Sequence, residues 1–252
     1  MMETEAELLP LLETLYASKN PTRRWLHCTR RDWIIARIRE CARIMPGRAL
    51  EVGFGAGVYL PALAENYTEV VASDLEQAHL SHAHALALKY PHLQLVTDDI
   101  TRPRLPPRSF SLILCSEVVE HIADSIAALN GMHRLLAPGG ILILSTPQRR
   151  SLLEMACKVA FMPGLISLVR RIYAEPVFET GHINLLSARE AARRIEAAGF
   201  TITTRYKSGM YIPVLAEFGG GAGLRCERRL EHWLRGSALD WMLWTQYYIA
   251  RA

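Results

Sequence analysis

The feature that most constrains this chain is a rhythm between residues 47 and 147. Short apolar runs alternate there with stretches of helical periodicity. The runs cover residues 49–52, 70–73, 93–96, 110–115 and 141–145. Runs this short and continuously apolar suit strands buried on both faces. Before the fifth run, Ile122, Ile126, Leu129, Met132 and Leu136 recur at three- and four-residue spacings. That spacing predicts a helix, halted by Pro138-Gly139-Gly140. Strand and helix in strict alternation predict an α/β fold with a doubly wound, mostly parallel sheet. The chain has 252 residues, half of them hydrophobic, enough for one sizeable core.

Three regions decorate that sheet. Residues 1–45 read as an N-terminal helical cap, and residues 149–185 as a lid-like insertion. Residues 185–252 resume the rhythm: a helix over 188–198 ending at Gly199, a strand over 200–205, a flexible turn at Gly219-Gly220-Gly221, a short helix over 225–235 and a final strand over 241–250. The expectation is a single domain over 1–252. The net charge of +4 does not by itself imply nucleic acid. Five scattered cysteines without a C-x-x-C pair fit a reducing compartment. The acidic start lacks the basic, apolar pattern of a secretory signal. The apolar stretch 155–169 is interrupted by Lys158 and Pro163-Gly164, and is too short to span a bilayer. A cytoplasmic location is expected.

The segment Glu51-Val52-Gly53-Phe54-Gly55-Ala56-Gly57 follows the first strand and opens a helix. Glycines there permit a tight turn and let a ligand approach the backbone. A dinucleotide fingerprint needs its third glycine one residue later, where Val58 stands, which disfavours NAD or FAD. Asp74 ends the second strand, where an acid can accept ribose hydroxyls. Asp98-Asp99-Ile100 ends the third, where an acid can take an adenine amine and Ile100 can pack on its ring. Ligands of open α/β sheets bind outside these carboxyl ends.

With these residues in view, Glu51-x-Gly53-x-Gly55-x-Gly57 resembles the first motif of class I S-adenosylmethionine-dependent methyltransferases. Asp74 is similar to their ribose-binding acid, and Asp99, rather than Asp98, to their adenine-side acid. Cys115-Ser116-Glu117-Val118-Val119-Glu120-His121 resembles the family's fourth-strand motif. Leu136-Ala137-Pro138-Gly139-Gly140 resembles the turn before its fifth strand. Gly181-His182-Ile183-Asn184-Leu185-Leu186 is similar to a short motif of the ubiquinone-biosynthesis-like (methyltransferase type 11) branch. The resemblance covers roughly residues 47–205. One departure is Phe110-Ser111, where the family usually has Phe-Asp. The resemblance implies a Rossmann-like sheet with an antiparallel final strand and helical cap insertions. It also implies a cofactor site of Glu51, Gly53, Gly55, Gly57, Asp74, Asp99 and Ile100.

Methyl transfer is an in-line displacement, so positioning supplies much of its rate, and an oxygen or nitrogen nucleophile also uses a base. His121 and His182 are the candidate bases, since imidazole titrates near neutrality. Glu120 is placed to orient His121 or touch substrate. Glu117-x-x-Glu120-His121 also resembles a metal-binding motif of some quinone O-methyltransferases, in which magnesium would polarise an oxygen. Metal dependence is not the expectation. His79, His82 and His84 do not share one helix face and read as solvated surface. Six arginines and two tryptophans between residues 23 and 39 read as an amphipathic cap helix, with RNA, a membrane surface or an anionic substrate as alternatives. The favoured function is S-adenosylmethionine-dependent methyl transfer, by O-methylation, to a small lipophilic acceptor. Peripheral membrane contact is compatible with it, and no nucleic-acid partner is expected. The alternatives are a nucleic-acid or protein methyltransferase, or a binding protein that keeps the cofactor pocket without turnover.

Overall fold

The computed structural model describes residues 15–160 and 182–252. Residues 1–14 of the expected cap and 161–181 of the expected insertion, Gly181 included, lie outside the described residues; the insertion begins with helix α5 (Leu152–Ala160). Seven strands, β1 (Arg48–Val52), β2 (Glu69–Asp74), β3 (Leu93–Thr97), β4 (Phe110–Ser116), β5 (Leu136–Pro147), β6 (Thr201–Ser208) and β7 (Thr245–Arg251), form one sheet. Their order is β3-β2-β1-β4-β5-β7-β6. The first five run parallel, and β7 lies antiparallel to both β5 and β6. The chain moves outward from β1 to β3, then restarts at β4 on the other side of β1. That reversal opens a crevice at the carboxyl ends of β1 and β4.

Both faces of the sheet are covered, which is why the strands read as unbroken apolar runs. Leu50, Ile113 and Leu142 face α4 (Ser125–Leu135) and α6 (Ala188–Ala197), with Leu129, Met132 and Ile195 against them. Ala49, Leu112 and Leu114 face the other way, toward Ile34 and Ile38 of α1 (Pro21–Ile44) and Leu60 and Leu63 of α2 (Leu60–Ala64). Each fully buried leucine or isoleucine contributes about 1.5–3 kcal/mol. Local signals start the helices. The Asn20 side chain accepts from the Thr22 and Arg23 amides ahead of α1, with Pro21 in the first position. Ser187 and Glu190 form a reciprocal capping box on α6.

The structure departs from the sequence expectations at four places. The helix predicted from Ile122 begins at Ser125, capped by Asp124, after a short 3-10 helix at Val119–His121; Ile126 is 45% exposed, not core. Pro138-Gly139-Gly140 lies inside β5, absorbed where the register shifts between Phe110/Leu136 and Leu112/Ile141. The glycine triplet is not a loose turn. Gly219 joins α7 (Pro213–Phe218) to α8 (Gly220–Leu234), which the other two glycines open. A Cβ on Gly219 or Gly223 would lie 2.5 Å from the Leu215 carbonyl oxygen, so these glycines allow close helix contact. The final strand starts at Thr245, because Trp241 sits in a 3-10 helix at Asp240–Met242. Ser111, the departure from Phe-Asp, donates its hydroxyl to the Pro46 carbonyl at 2.8 Å and ties β4 to the turn before β1. Among the described residues, no helix is long and apolar enough to cross a membrane.

Candidate active site

The carboxyl ends of β1, β2 and β3 surround the glycine loop. Gly53, Gly55 and Gly57 all take positive φ, between 52° and 69°, a region that L side chains avoid. A Cβ at Gly53 would also meet Val118 at 2.7 Å, so this glycine lets the β4 turn close over the loop. Glu51 is buried beneath it, and its Oε2 has no hydrogen-bond partner. Burial, and then the neighbouring Asp74, push the Glu51 carboxyl well above the usual carboxylate range. An orphaned buried acceptor of this kind suits a ligand that brings an amine or hydroxyl donor to the loop.

Asp74 is held from several directions. Its Oδ1 accepts from the Glu76 amide at 3.0 Å, and its Oδ2 from the Gly55 amide at 3.1 Å, with His79 Nδ1 at 3.0 Å. Burial raises its pKa, but the His79 and backbone bonds outweigh burial, so the group stays ionised. The solvated reading of His79 is thereby corrected: the first turn of α3 (Gln77–Lys89) folds it back onto Asp74. Of the two acids after β3, Asp98 is buried and occupied by the amide and guanidinium of Arg104. Asp99 is half-buried; one of its oxygens accepts from Thr101. Ile100 is buried, and a Cβ on Gly131 would strike its carbonyl oxygen at 1.9 Å. Gly131 therefore lets α4 press the β3 turn into place.

The end of β4 is different in kind. Glu117 adopts φ +57°, a strained conformation for a residue with a side chain. Its Oε1 accepts from Ser145 at 2.9 Å and its Oε2 from Arg30 of α1 at 2.7 Å. Arg30 is buried and lies over the Trp244 ring, 5.2 Å from its centroid. Burial opposes the charge on Arg30, but Glu117 and nearby tyrosines more than offset it, so the guanidinium is firmly protonated. Burial, then Arg30, push His27 well below the usual imidazole value. Glu120 has no exposed surface; its Oε2 accepts from Thr146 at 2.9 Å, and its Oε1 has no partner. Burial, then Glu117, raise its carboxyl well above the usual range.

The structure brings His121 and His182 together, with ring centroids 5.2 Å apart. The Glu120 carbonyl accepts from the Ile183 and Asn184 amides, which fastens the chain after His182 to the β4 turn. His182 Nδ1 lies 3.4 Å from Glu154 Oε2, and Glu154 Oε1 accepts from the Trp244 indole at 3.2 Å. Ligand atoms of Glu120, His121 and His182 all lie within 4.8 Å of one another. This cluster differs from the Glu117, Glu120 and His121 motif that the sequence resembles, because Arg30 and Ser145 occupy Glu117. A carboxylate and two imidazoles are plausible donors for a divalent ion, although burial of Glu120 works against its ionised form.

The sequence reading missed Arg30, Thr146, Glu154 and Trp244. Arg30 had a signal. It stands on the stripe Leu26, Ile34, Ile38, where an arginine at an apolar position is anomalous. A separate cleft, lined by Arg108, His133, Arg134 and Pro138, opens at the opposite, amino-terminal edge of β4 and β5 and takes no part in this site.

Residues 23–205, most of the chain, match the family model described as a methyltransferase domain. A ubiquinone biosynthesis O-methyltransferase of Xanthomonas campestris pv. campestris (strain B100) is 33% identical over 129 residues, 49% of this chain and 51% of that one. The chain spans about half the length of the curated relatives it matches. Among solved structures, the N-methyltransferase NodS of Bradyrhizobium japonicum WM9, in complex with S-adenosyl-L-homocysteine, has a TM-score of 0.57 at 17% identity, covering 99% of this chain and 98% of that one. The [4+2]-cyclase SpnF has a TM-score of 0.64 at 16% identity, covering 98% and 92%. These two likenesses establish the fold alone. The chain, with its glycine loop and strand-end acids set in that sheet, belongs to the methyltransferase-domain family.

Proposed function

We propose that the protein transfers a methyl group from S-adenosylmethionine to a small, lipophilic acceptor, with oxygen the favoured nucleophile. The observation that carries this reading is the buried, unpartnered Glu51 oxygen at the glycine loop, flanked by an ionised Asp74. Glu51, Gly53, Gly55 and Gly57 would hold the amino-acid end of the cofactor, Asp74 its ribose, and Asp99 and Ile100 its adenine. Bound there, S-adenosylmethionine supplies an electrophilic methyl group.

The remaining work falls to the chain's own residues. Glu154 beside His182 Nδ1 orients that ring, and the imidazole would take the proton of an acceptor hydroxyl. His121 is the alternative base. Arg30 locks Glu117, and through Ser145 the ends of β4 and β5, so the acceptor meets a rigid wall. The O-methyltransferase relative supports oxygen as the attacked atom. In this reading residues 1–252 act as one cytoplasmic domain, with 1–45 capping the sheet and 149–185 covering the acceptor. Arg30 of α1 is not available to a nucleic-acid substrate, since it is consumed in a partly buried ion pair.

A second reading rests on the Glu120, His121 and His182 cluster, in which a magnesium ion would polarise the acceptor oxygen. Two assays separate the readings. Incubation with S-adenosylmethionine and a panel of catechol and phenol acceptors should yield products one methyl group heavier by mass spectrometry. Full activity in excess chelator would leave the histidines as bases; abolition by chelator, reversed by magnesium, would favour the metal. No methylated product from any hydroxyl, amine or thiol acceptor would count against methyl transfer itself.

A further inference from the structure

The hairpin of α7 and α8 after β6 turns its charges in an unusual direction. On α8 the buried stripe is Gly223, Glu227 and Glu231. Glu227 accepts from the Ile212 amide at 2.9 Å and from the Thr22 hydroxyl at 2.5 Å. Glu231 accepts from the Gly209 and Met210 amides at 2.7 and 3.3 Å, and also pairs with Arg235. Glu217 of α7 accepts from Asn20 and Tyr211. All three acids of the hairpin are thus engaged toward the protein.

The opposite face of α8 carries Arg225, Arg229, His232 and Trp233, at i, i+4, i+7 and i+8, with Arg228 beside them; all five are exposed. Trp233 is 84% exposed, and on α7 Val214 and Phe218, one turn apart, are 72% and 71% exposed. The exposed charge of the hairpin is therefore wholly positive, and it is interleaved with large apolar side chains.

We propose that this face docks the protein on the anionic surface of a lipid bilayer. Arginine heads meet lipid phosphates while their stems lie along the apolar boundary, and tryptophan and phenylalanine are suited to the headgroup level. A nucleic-acid backbone would use the arginines but would gain little from Val214 and Phe218. The helices are too short to span a membrane, so the contact is peripheral. The inference stands apart from the methyl-transfer reading, because none of these residues belongs to the cleft.

Co-sedimentation of the full chain with vesicles tests it. The protein should pellet with phosphatidylcholine vesicles that contain phosphatidylglycerol, stay in solution with phosphatidylcholine alone, and be released by high salt. Arg225→Gln with Arg229→Gln should weaken binding about fivefold per arginine. Phe218→Ser with Trp233→Ser should weaken it further. Unchanged thermal midpoints in both double variants keep the comparison clean. Wild-type protein that ignores the anionic vesicles would overturn the proposal. So would variants that bind as wild type does, self-association through this face in place of vesicle binding, or capture of a single-stranded RNA oligonucleotide without vesicle binding.

Discussion

The two halves of the cleft are built by different means. The half at β1, β2 and β3 comes from one stretch, residues 51–104, and its acids are set largely by nearby backbone amides: Asp74 by Gly55 and Glu76, Asp98 by Arg104, Asp99 by Thr101. The half at β4 gathers Arg30, Glu117, Thr146, Glu154, His182 and Trp244 from across the chain, joined side chain to side chain. A site made of turns is fixed as soon as its strands pair. A site made of long-range side-chain pairs depends on every element that contributes to it. The first arrangement suits one unchanging ligand, and the second can be altered for new acceptors without disturbing the first.

The sharpest division between the halves should appear in turnover. His182→Ala is expected to lower turnover by about 10²–10⁴-fold, the usual contribution of a general base, while leaving S-adenosylhomocysteine affinity unchanged. A joint loss of affinity and turnover would mean that the halves are not separable. Next in size is the ion pair. Arg30→Leu leaves a partly buried, strained Glu117 with only its Ser145 bond and should cost about 1–3 kcal/mol in urea denaturation. A loss of less than about 1 kcal/mol would make the pair equivalent to a surface contact and remove its role as a lock. Asp74→Ala should weaken cofactor binding by about 1.5–3 kcal/mol, through loss of a charge-assisted bond. Turnover at saturating cofactor should suffer less than in His182→Ala, and the reverse ranking would undo the assignment of the halves.

The smallest effect concerns Glu120. Its folded-state pKa is raised, so the favourable contribution of its neutral form is complete below the ordinary value of 4.5 and is lost as pH rises above it. Glu120→Gln keeps an acceptor for Thr146 and removes the ionisation. The variant should match wild type in thermal midpoint near pH 4 and exceed it increasingly toward pH 8. A gap that does not change with pH would show that Glu120 is not held neutral by its surroundings.

The same contrast governs what could be read before the structure. Glu51, Asp74 and Asp99 were legible because a strand end, a glycine loop and an acid are adjacent in sequence, and the alternating apolar runs announce each strand. Arg30 and Glu117 stand 87 positions apart, and Glu154 and Trp244 stand 90 apart, so only the packed fold joins them. His79 lay within reach of local reasoning. The three histidines of α3 do not share a face, yet His79, in the first turn, turns back to the strand end. The 3-10 helix at Val119–His121 broke the helical spacing begun at Ile122, which left Ile126 on the surface.

The central claim is that the β1–β3 half is a site for an S-adenosyl cofactor. Calorimetric titration of the intact wild-type protein with S-adenosylhomocysteine, and separately with NAD, tests it most directly. The account predicts saturable binding of S-adenosylhomocysteine at one site per chain and no heat of binding from NAD. Binding of NAD in its place, or of neither ligand by folded protein, would contradict it.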